Sequence, residues 1–160
     1  MYESEEEIAM PWIYNDAGYS GRTTRRGRHI PGNGVVRAIA IATERNYWEV
    51  HTELYRRQCD YVNRSRSRRI QDKGASIDEV GVWPDVSKRY LFDLGWTWVP
   101  VMKVGSGVTM HLSYDELPDE PKLIVRLSKA LVTVIAGTVY DIHDPSRDGS
   151  RAVYGFFTNP

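Results

Sequence analysis

Few residues in this 160-residue sequence could act as a nucleophile, a general base or a metal ligand. Cys59 is the only cysteine, so neither an internal disulfide nor a zinc site built on paired cysteines can form. His51 and His111 have no ligand partners at the spacing of a metal site. We therefore expect no metal and no cofactor.

A glycine-punctuated turn leading into an apolar segment is the stretch best suited to present a reactive group. Gly32-Asn33-Gly34 precedes residues 35–43, which are almost entirely apolar. If this segment is a helix, its first turn carries unpaired N–H groups and a partial positive charge, which suit a thiolate or an anion. Gly34 stands at that position, and glycine offers neither a nucleophile nor an acid or base. The stretch is therefore either no site or the remains of one.

Basic residues are concentrated in the first half of the chain, although the formal net charge is zero. Residues 22–73 contain 13 arginines and lysines against 5 acidic residues. One dense group is the polar segment 22–28. The other lies in a predicted basic loop, 63–76, and comprises Arg64, Arg66, Arg68 and Arg69. Such a pattern indicates either a phosphate-binding face or a solvated basic surface.

Hydrophobic periodicity predicts helices first and strands second. The β-branched residues of 35–43 favour a strand, but Asn46 and Glu49 form an N-cap pair directly afterwards and favour a helix pair. We predict helices over 35–43, 47–62 and 84–94, with a single helical turn at 113–116. Strands are predicted over 96–100, 122–128, 131–136, 138–143 and 151–157, and 11–14 is either a short strand or an aromatic anchor.

This order of elements indicates an α+β fold. We expect an acidic tail at 1–10 and a single domain over 11–160. The aromatic residues expected in the core are Trp12, Trp83, Trp96, Trp98, Tyr140 and Tyr154. The absence of a long apolar run and of a basic-then-apolar leader predicts a soluble, cytoplasmic protein.

Three stretches carry a resemblance to a known group of proteins. They are 32–43, 94–100, and 131–137 together with the His-Asp-Pro-Ser-Arg run at 143–147. They look like small bacterial and phage proteins that resemble papain-like cysteine peptidases, especially the double-glycine leader peptidases. The resemblance extends over about residues 12–157 and implies a papain-like domain with N-terminal helices packed on a C-terminal antiparallel sheet.

Residue by residue, the resemblance implies a degenerate catalytic triad. Asn33 stands where the family has Asp, and Gly34 stands where it has the nucleophilic Cys. Ala130 occupies the position of the general-base His, and only Asp144 matches the third member of the triad. A thiolate requires a nearby imidazole that the third group orients, so a carboxylate alone replaces neither partner.

Three other residues could be considered as replacements. Cys59 falls late in the second predicted helix, where a small packing role is the ordinary one. His29 precedes Gly34 by five residues but lies in a basic loop, which is typical of a surface residue. His143 is expected to pack or hydrogen-bond at a strand end, and Asp144-Pro145-Ser146 forms a good turn without any catalytic role.

The resemblance implies a catalytically inactive, pseudo-peptidase domain that binds a protein or peptide segment in a vacated cleft. The residues expected to line this cleft are Asn33, Gly34, Ala130 and Asp144. The other expected binding residues are those of the basic loop: Arg64, Arg66, Arg68 and Arg69. If the chain is phage-encoded, a host-directed inhibitor or a virion component fits, in the host cytoplasm or the virion. Two alternatives remain open: a nucleic-acid-binding protein that uses the basic segments 22–28 and 64–69, and a cysteine peptidase inactivated by substitution at 34 and 130.

Overall fold

The computed structural model describes residues 10–19, 26 and 32–159. Within these residues the helices are α1 (Gly34–Thr43), α2 (Tyr47–Arg64), α3 (Arg68–Lys73), α4 (Ile77–Val80) and α5 (Pro84–Asp93). The strands are β1 (Trp12–Tyr14), β2 (Thr97–Pro100), β3 (Lys122–Leu127), β4 (Ala130–Ile135), β5 (Thr138–Asp141) and β6 (Val153–Thr158). The predicted α+β class is confirmed. No helix in the described part of the chain is both long and apolar enough to cross a membrane.

Helix α1 forms despite its β-branched residues because both ends are capped and one face is buried. The side chain of Asn33 accepts hydrogen bonds from the backbone N–H groups of Val35 (2.9 Å) and Val36 (3.1 Å). At the other end Glu44 takes a left-handed conformation with φ 56° and closes the last turn. Val36 and Ile39 are completely buried, so tertiary packing outweighs the local preference for strand.

The prediction that 63–76 forms an irregular basic loop is wrong, because much of this segment is helical. Helix α2 continues to Arg64, and α3 (Arg68–Lys73) occupies the middle of the segment. Arginine is a good helix former, and the side-chain amide of Gln71 donates a 2.6 Å hydrogen bond to the Ser65 carbonyl at the start of α3. The single turn expected at 113–116 is a hydrogen-bonded turn and not a helix: the Glu116 N–H donates to the Ser113 carbonyl at 3.4 Å, and the Ser113 hydroxyl donates to the carboxylates of Asp115 and Glu116.

The sheet has the strand order β1-β5-β4-β3-β6-β2. Every neighbouring pair is antiparallel except β1 and β5, which are parallel. The predicted C-terminal antiparallel sheet is therefore observed for β2 to β6, and the N-terminal strand β1 adds a parallel edge that was not predicted. A parallel pair needs a long connection, and here the intervening chain carries the helices and three strands between β1 and β5. No local feature of residues 12–14 indicates the direction of its partner.

The sheet separates two hydrophobic cores. Strand β3 alternates between them: Ile124 packs in the core under the helices, whereas Leu123 and Val125 pack in the second core. Loop residues such as Leu112 cover the second core, and Met10 joins it with only 5% of its surface exposed. The predicted acidic tail therefore ends before Met10, and its remaining residues, 1–9, lie outside the described part of the chain.

The predicted aromatic core is only partly confirmed. Trp96 is buried, and Trp83 and Trp98 pack against the helix-side core. Trp12 and Tyr154, in contrast, are 41% and 37% exposed. Trp12 lies on the edge strand β1, where its indole N–H donates to the Asp141 carbonyl at 3.1 Å. It is thus neither a core residue nor an anchor on the core.

Candidate functional site

A cleft of about 430 Å³ lies where the first turn of α1 faces one end of the sheet. The β3–β4 hairpin forms one wall, and the segment 80–87, which leads into α5, forms another. Residues from 141–151, after β5, complete the lining. The cleft thus joins four chain segments that are far apart in sequence.

Of the four residues expected to line the vacated cleft, three meet here. Asn33, Gly34 and Ala130 all line it, so the start of α1 and the start of β4 belong to one surface. Asp144 is not among the lining residues, although its neighbours His143 and Pro145 are. The Asp144 carboxylate accepts a 2.9 Å hydrogen bond from the Ser146 backbone N–H and closes a turn. This hydrogen bond is the one expected if Asp144-Pro145-Ser146 forms a turn.

Asn33 fixes the position of the N-terminus of α1. Its carboxamide oxygen caps the helix, and its backbone N–H donates to the Tyr47 hydroxyl at 2.9 Å. Burial raises the pKa of Tyr47, which therefore stays neutral and able to accept this bond at physiological pH. Gly34 has room for a side chain, since an added Cβ would meet only Arg37 Nη2, at 3.4 Å. Glycine at this position is not required by packing.

The cleft carries an excess of positive charge. Arg37 is 6% exposed, donates to the Gly32 carbonyl at 2.9 Å and lies 3.6 Å from a carboxylate oxygen of Asp141. Arg126, Lys129 and Arg151 also line the cleft, whereas Asp141 is the only acidic residue among its described lining residues. Burial lowers the pKa of Arg126 and of Arg151, since both guanidinium groups have lost part of their hydration.

The comparisons with known proteins were negative. No protein-family model, no curated protein and no solved structure matches this chain. The papain-like resemblance therefore stays a prediction, and the function has to be inferred from the geometry of the cleft.

Gln58 is a residue of the site that the sequence analysis missed. It is completely buried on α2, and its amide nitrogen donates to the carbonyls of Ala75 (3.0 Å) and Gly81 (2.9 Å). Its amide oxygen accepts from the backbone N–H of Trp83 at 2.9 Å. These bonds hold segment 75–83, which supplies one wall of the cleft. The available signal was its position four residues after Leu54, on the apolar stripe of an amphipathic helix.

The cationic residues of the cleft were missed as well. Arg126 lies within the strand sequence Lys-Leu-Ile-Val-Arg-Leu, where alternation places it on the same face as Ile124, toward the helices. A charged residue facing inward on a central strand could have been noticed from the sequence. Arg151 gave no such signal, because only the fold brings the segment before β6 to the β3–β4 turn, where Arg151 donates to the Ser128 carbonyl at 2.8 Å.

The arginines expected at a binding loop lie elsewhere. None of the four lines the cleft: Arg64, Arg66, Arg68 and Arg69. Arg64 pairs with Asp60 at 3.2 Å, and the guanidinium carbon of Arg69 is 5.9 Å from the centre of the Trp83 ring. Segment 22–28, except residue 26, and His29 lie outside the described residues. Nucleic-acid binding through 22–28 and 64–69 stays a prediction.

The remaining reactive side chains are also outside the cleft. Cys59 lies on α2, where its hydrogen bond with Tyr55 raises the pKa of that phenol. His51 is 3.9 Å from a carboxylate oxygen of Asp78, and His111 is 3.2 Å from one of Glu116. Over the described part of the chain, no three His, Cys, Asp or Glu side chains converge as a metal site would require.

Proposed function

We propose that this chain binds a polypeptide segment in the cleft between α1 and β4 and does not cleave it. The observation that carries the proposal is that Gly34 and Ala130 line the same cleft. These are the positions at which the resemblance expects the nucleophile and the general base, and a catalytic triad requires such residues to share one cleft. Neither glycine nor alanine can supply the chemistry.

None of the described residues that line the cleft provides a replacement nucleophile paired with a base. Cys59 is not among them, and the only hydroxyl side chain that lines the cleft is that of Ser87. This hydroxyl is buried and donates to the Pro84 carbonyl at 3.0 Å, so it is not paired with a base. His143 lines the cleft without a thiol or hydroxyl partner, and a base without a nucleophile supports no acyl transfer.

The cleft has the size and the lining of a recognition site. Its volume of about 430 Å³ falls within the range of ligand-binding cavities, roughly 300–1,000 Å³. Apolar side chains, among them Val82 and Leu131, lie beside charged ones such as Arg126. This combination provides apolar contacts for side chains together with polar groups that fix their orientation.

The test combines binding with cleavage. The full chain is incubated with a library of short random-sequence peptides, and retained peptides and any cleavage products are identified by mass spectrometry. We expect retention without cleavage. Gly34→Phe should abolish retention by filling the cleft, whereas Asn63→Phe, at an exposed residue of α2 outside the cleft, should not.

Two results would refute the proposal. One is peptide cleavage that depends on Cys59 or His143, which would show that the chain is an enzyme. The other is peptide retention that survives Gly34→Phe with the fold intact by circular dichroism, which would place binding away from the cleft.

A further inference from the structure

We infer that Arg126 anchors the bound segment through a carboxylate. The inference rests on the proposed function and specifies its ligand. Arg126 lies on β3, a central strand of the sheet, and projects to the helix side of the sheet, where it lines the cleft. Its cross-strand neighbours are Leu131 on β4 and Gly155 on β6, neither of which carries a charge.

Arg126 has no anionic partner among the residues that the structure describes. No hydrogen bond or ion pair joins it to another residue that the structure describes, although it is partly buried. The Asp85 carboxylate on α5 interacts with Arg126 only by electrostatic attraction without direct contact. It accepts a 3.2 Å hydrogen bond from the Tyr61 hydroxyl instead. The one carboxylate in the cleft, that of Asp141, faces Arg37. A partly buried guanidinium loses hydration, and an arriving carboxylate would compensate for that loss.

Two further cations support the same end of the cleft. Lys129 lies at the tip of the β3–β4 turn in a left-handed conformation with φ 57°, and its side chain is exposed. Arg151 is fixed to the same turn through Ser128, and its Nε is buried without a hydrogen-bond partner in the described part of the chain. These groups and Arg126 all line the cleft, and their combined positive charge favours an anion over a neutral or cationic group.

A planar guanidinium binds a carboxylate through two parallel hydrogen bonds, which gives both charge and geometric selectivity. The carboxylate can come from the free C-terminus of a peptide or from an Asp or Glu side chain. Both sources present the same group to Arg126, and the experiment separates them.

The experiment measures peptide affinity by fluorescence polarisation. The probes are peptides retained by the wild-type chain, each made with a free C-terminus, with an amidated C-terminus, and with Asp and Glu replaced by Asn and Gln. We expect one of the two replacements to weaken binding about ten-fold or more, because a charged hydrogen bond is lost. Loss on amidation identifies a C-terminal carboxylate, and loss on side-chain replacement identifies an acidic side chain.

Arg126→Gln should weaken binding of the unmodified peptide to a similar extent. It should cause little further loss of affinity for the peptide that already lacks the recognised carboxylate. Arg89→Gln removes the same charge at an exposed position of α5 outside the cleft and should leave affinity unchanged. If Arg126→Gln does not fold, Lys129→Gln, at an exposed turn, replaces it and should weaken binding about two- to three-fold.

Failure of the inference and failure of the proposed function look different. Peptides that bind with no preference for a carboxylate, and equally well to Arg126→Gln or Lys129→Gln, would overturn the inference while the cleft remained the binding site. If the wild-type chain retained no peptide at all, the proposed function would be wrong, and the inference with it.

Discussion

Replacing Gln58 with leucine tests how the wall of the cleft is held. The change keeps the approximate size of the side chain but removes three hydrogen bonds of 2.9–3.0 Å from a completely buried amide. The carbonyls of Ala75 and Gly81 and the N–H of Trp83 would lose their partners. Leaving a buried polar group unsatisfied costs about 1–3 kcal/mol.

The expected loss of stability follows from these contacts. Because segment 75–83 can shift to admit water, we take about 1 kcal/mol for each of the three groups that lose a partner. The expected loss in the free energy of unfolding is therefore about 3 kcal/mol. Domains have a total stability of roughly 5–15 kcal/mol, so the variant should still fold. Urea denaturation measures the loss. Hydrogen exchange should show faster opening of 75–83 than of β3 and β4.

The matched control is Gln71→Leu. Gln71 lies on the exposed side of α3 and makes one side-chain hydrogen bond, to the Ser65 carbonyl. Its replacement should cost at most about 0.5 kcal/mol, as for an ordinary surface change. If Gln58→Leu cost no more than Gln71→Leu, the view that Gln58 holds the wall of the cleft would be refuted.

Three further predictions concern the fold and the ancestry of the cleft. The hydrogen bonds from Arg56 and, with them, those from Arg57 lower the pKa of Glu53 to about 2, so its stabilising contribution is present above the ordinary glutamate pKa and is lost as pH falls toward 2. Urea midpoints of Glu53→Gln and wild type should therefore approach each other as pH falls from about 5 toward 2, and parallel curves would contradict this. Gly155→Ala should cost about 2 kcal/mol or more, because the added Cβ would overlap the Trp98 ring and lie 2.8 Å from the Val99 carbonyl. Gly34→Ala, whose added Cβ would meet only the flexible Arg37 side chain at 3.4 Å, is the control, and equal urea midpoints would argue against the packing account. Finally, Gly34→Cys with Ala130→His should give a thiol at the mouth of α1 that alkylating reagents label faster than Cys59; equal labelling rates would weaken the peptidase-like interpretation.

Much of the fold could be predicted because caps, turns and periodicity act locally, although the β-branched residues of 35–43 opposed the helix that forms there. The caps at Asn33 and Asn46 define the starts of α1 and α2, and both predicted helices are confirmed. Ala136 and Gly137 both have positive φ, so the tight turn predicted at Gly137 is a two-residue hairpin turn. At β1 the outcome depended on a partner strand distant in sequence, whereas the helix within the predicted basic loop is supported by local preferences that the prediction missed.

The candidate site was predictable only in part. The resemblance selected Gly34 and Ala130, which the structure places in one cleft, but it also selected Asp144, which caps a local turn. Arg151 and Gln58 could not be assigned to the site, because their partners belong to other elements. Such contacts depend on how the sheet and helices pack, and this packing cannot be predicted from the spacing of residues in the sequence.

The sequence by itself determined which reactive side chains are present: a single cysteine outside the opening turn, and glycine and alanine at the positions where the resemblance expects a nucleophile and a base. It also indicated α1, α2, α5 and most of the strands, since caps, turns and hydrophobic periodicity act over a few residues. Only the tertiary structure decided that these positions share a cleft, and that Arg126 faces it without an anionic partner among the described residues. Charge balance within a cleft arises from segments distant in sequence, so it is set when they pack together.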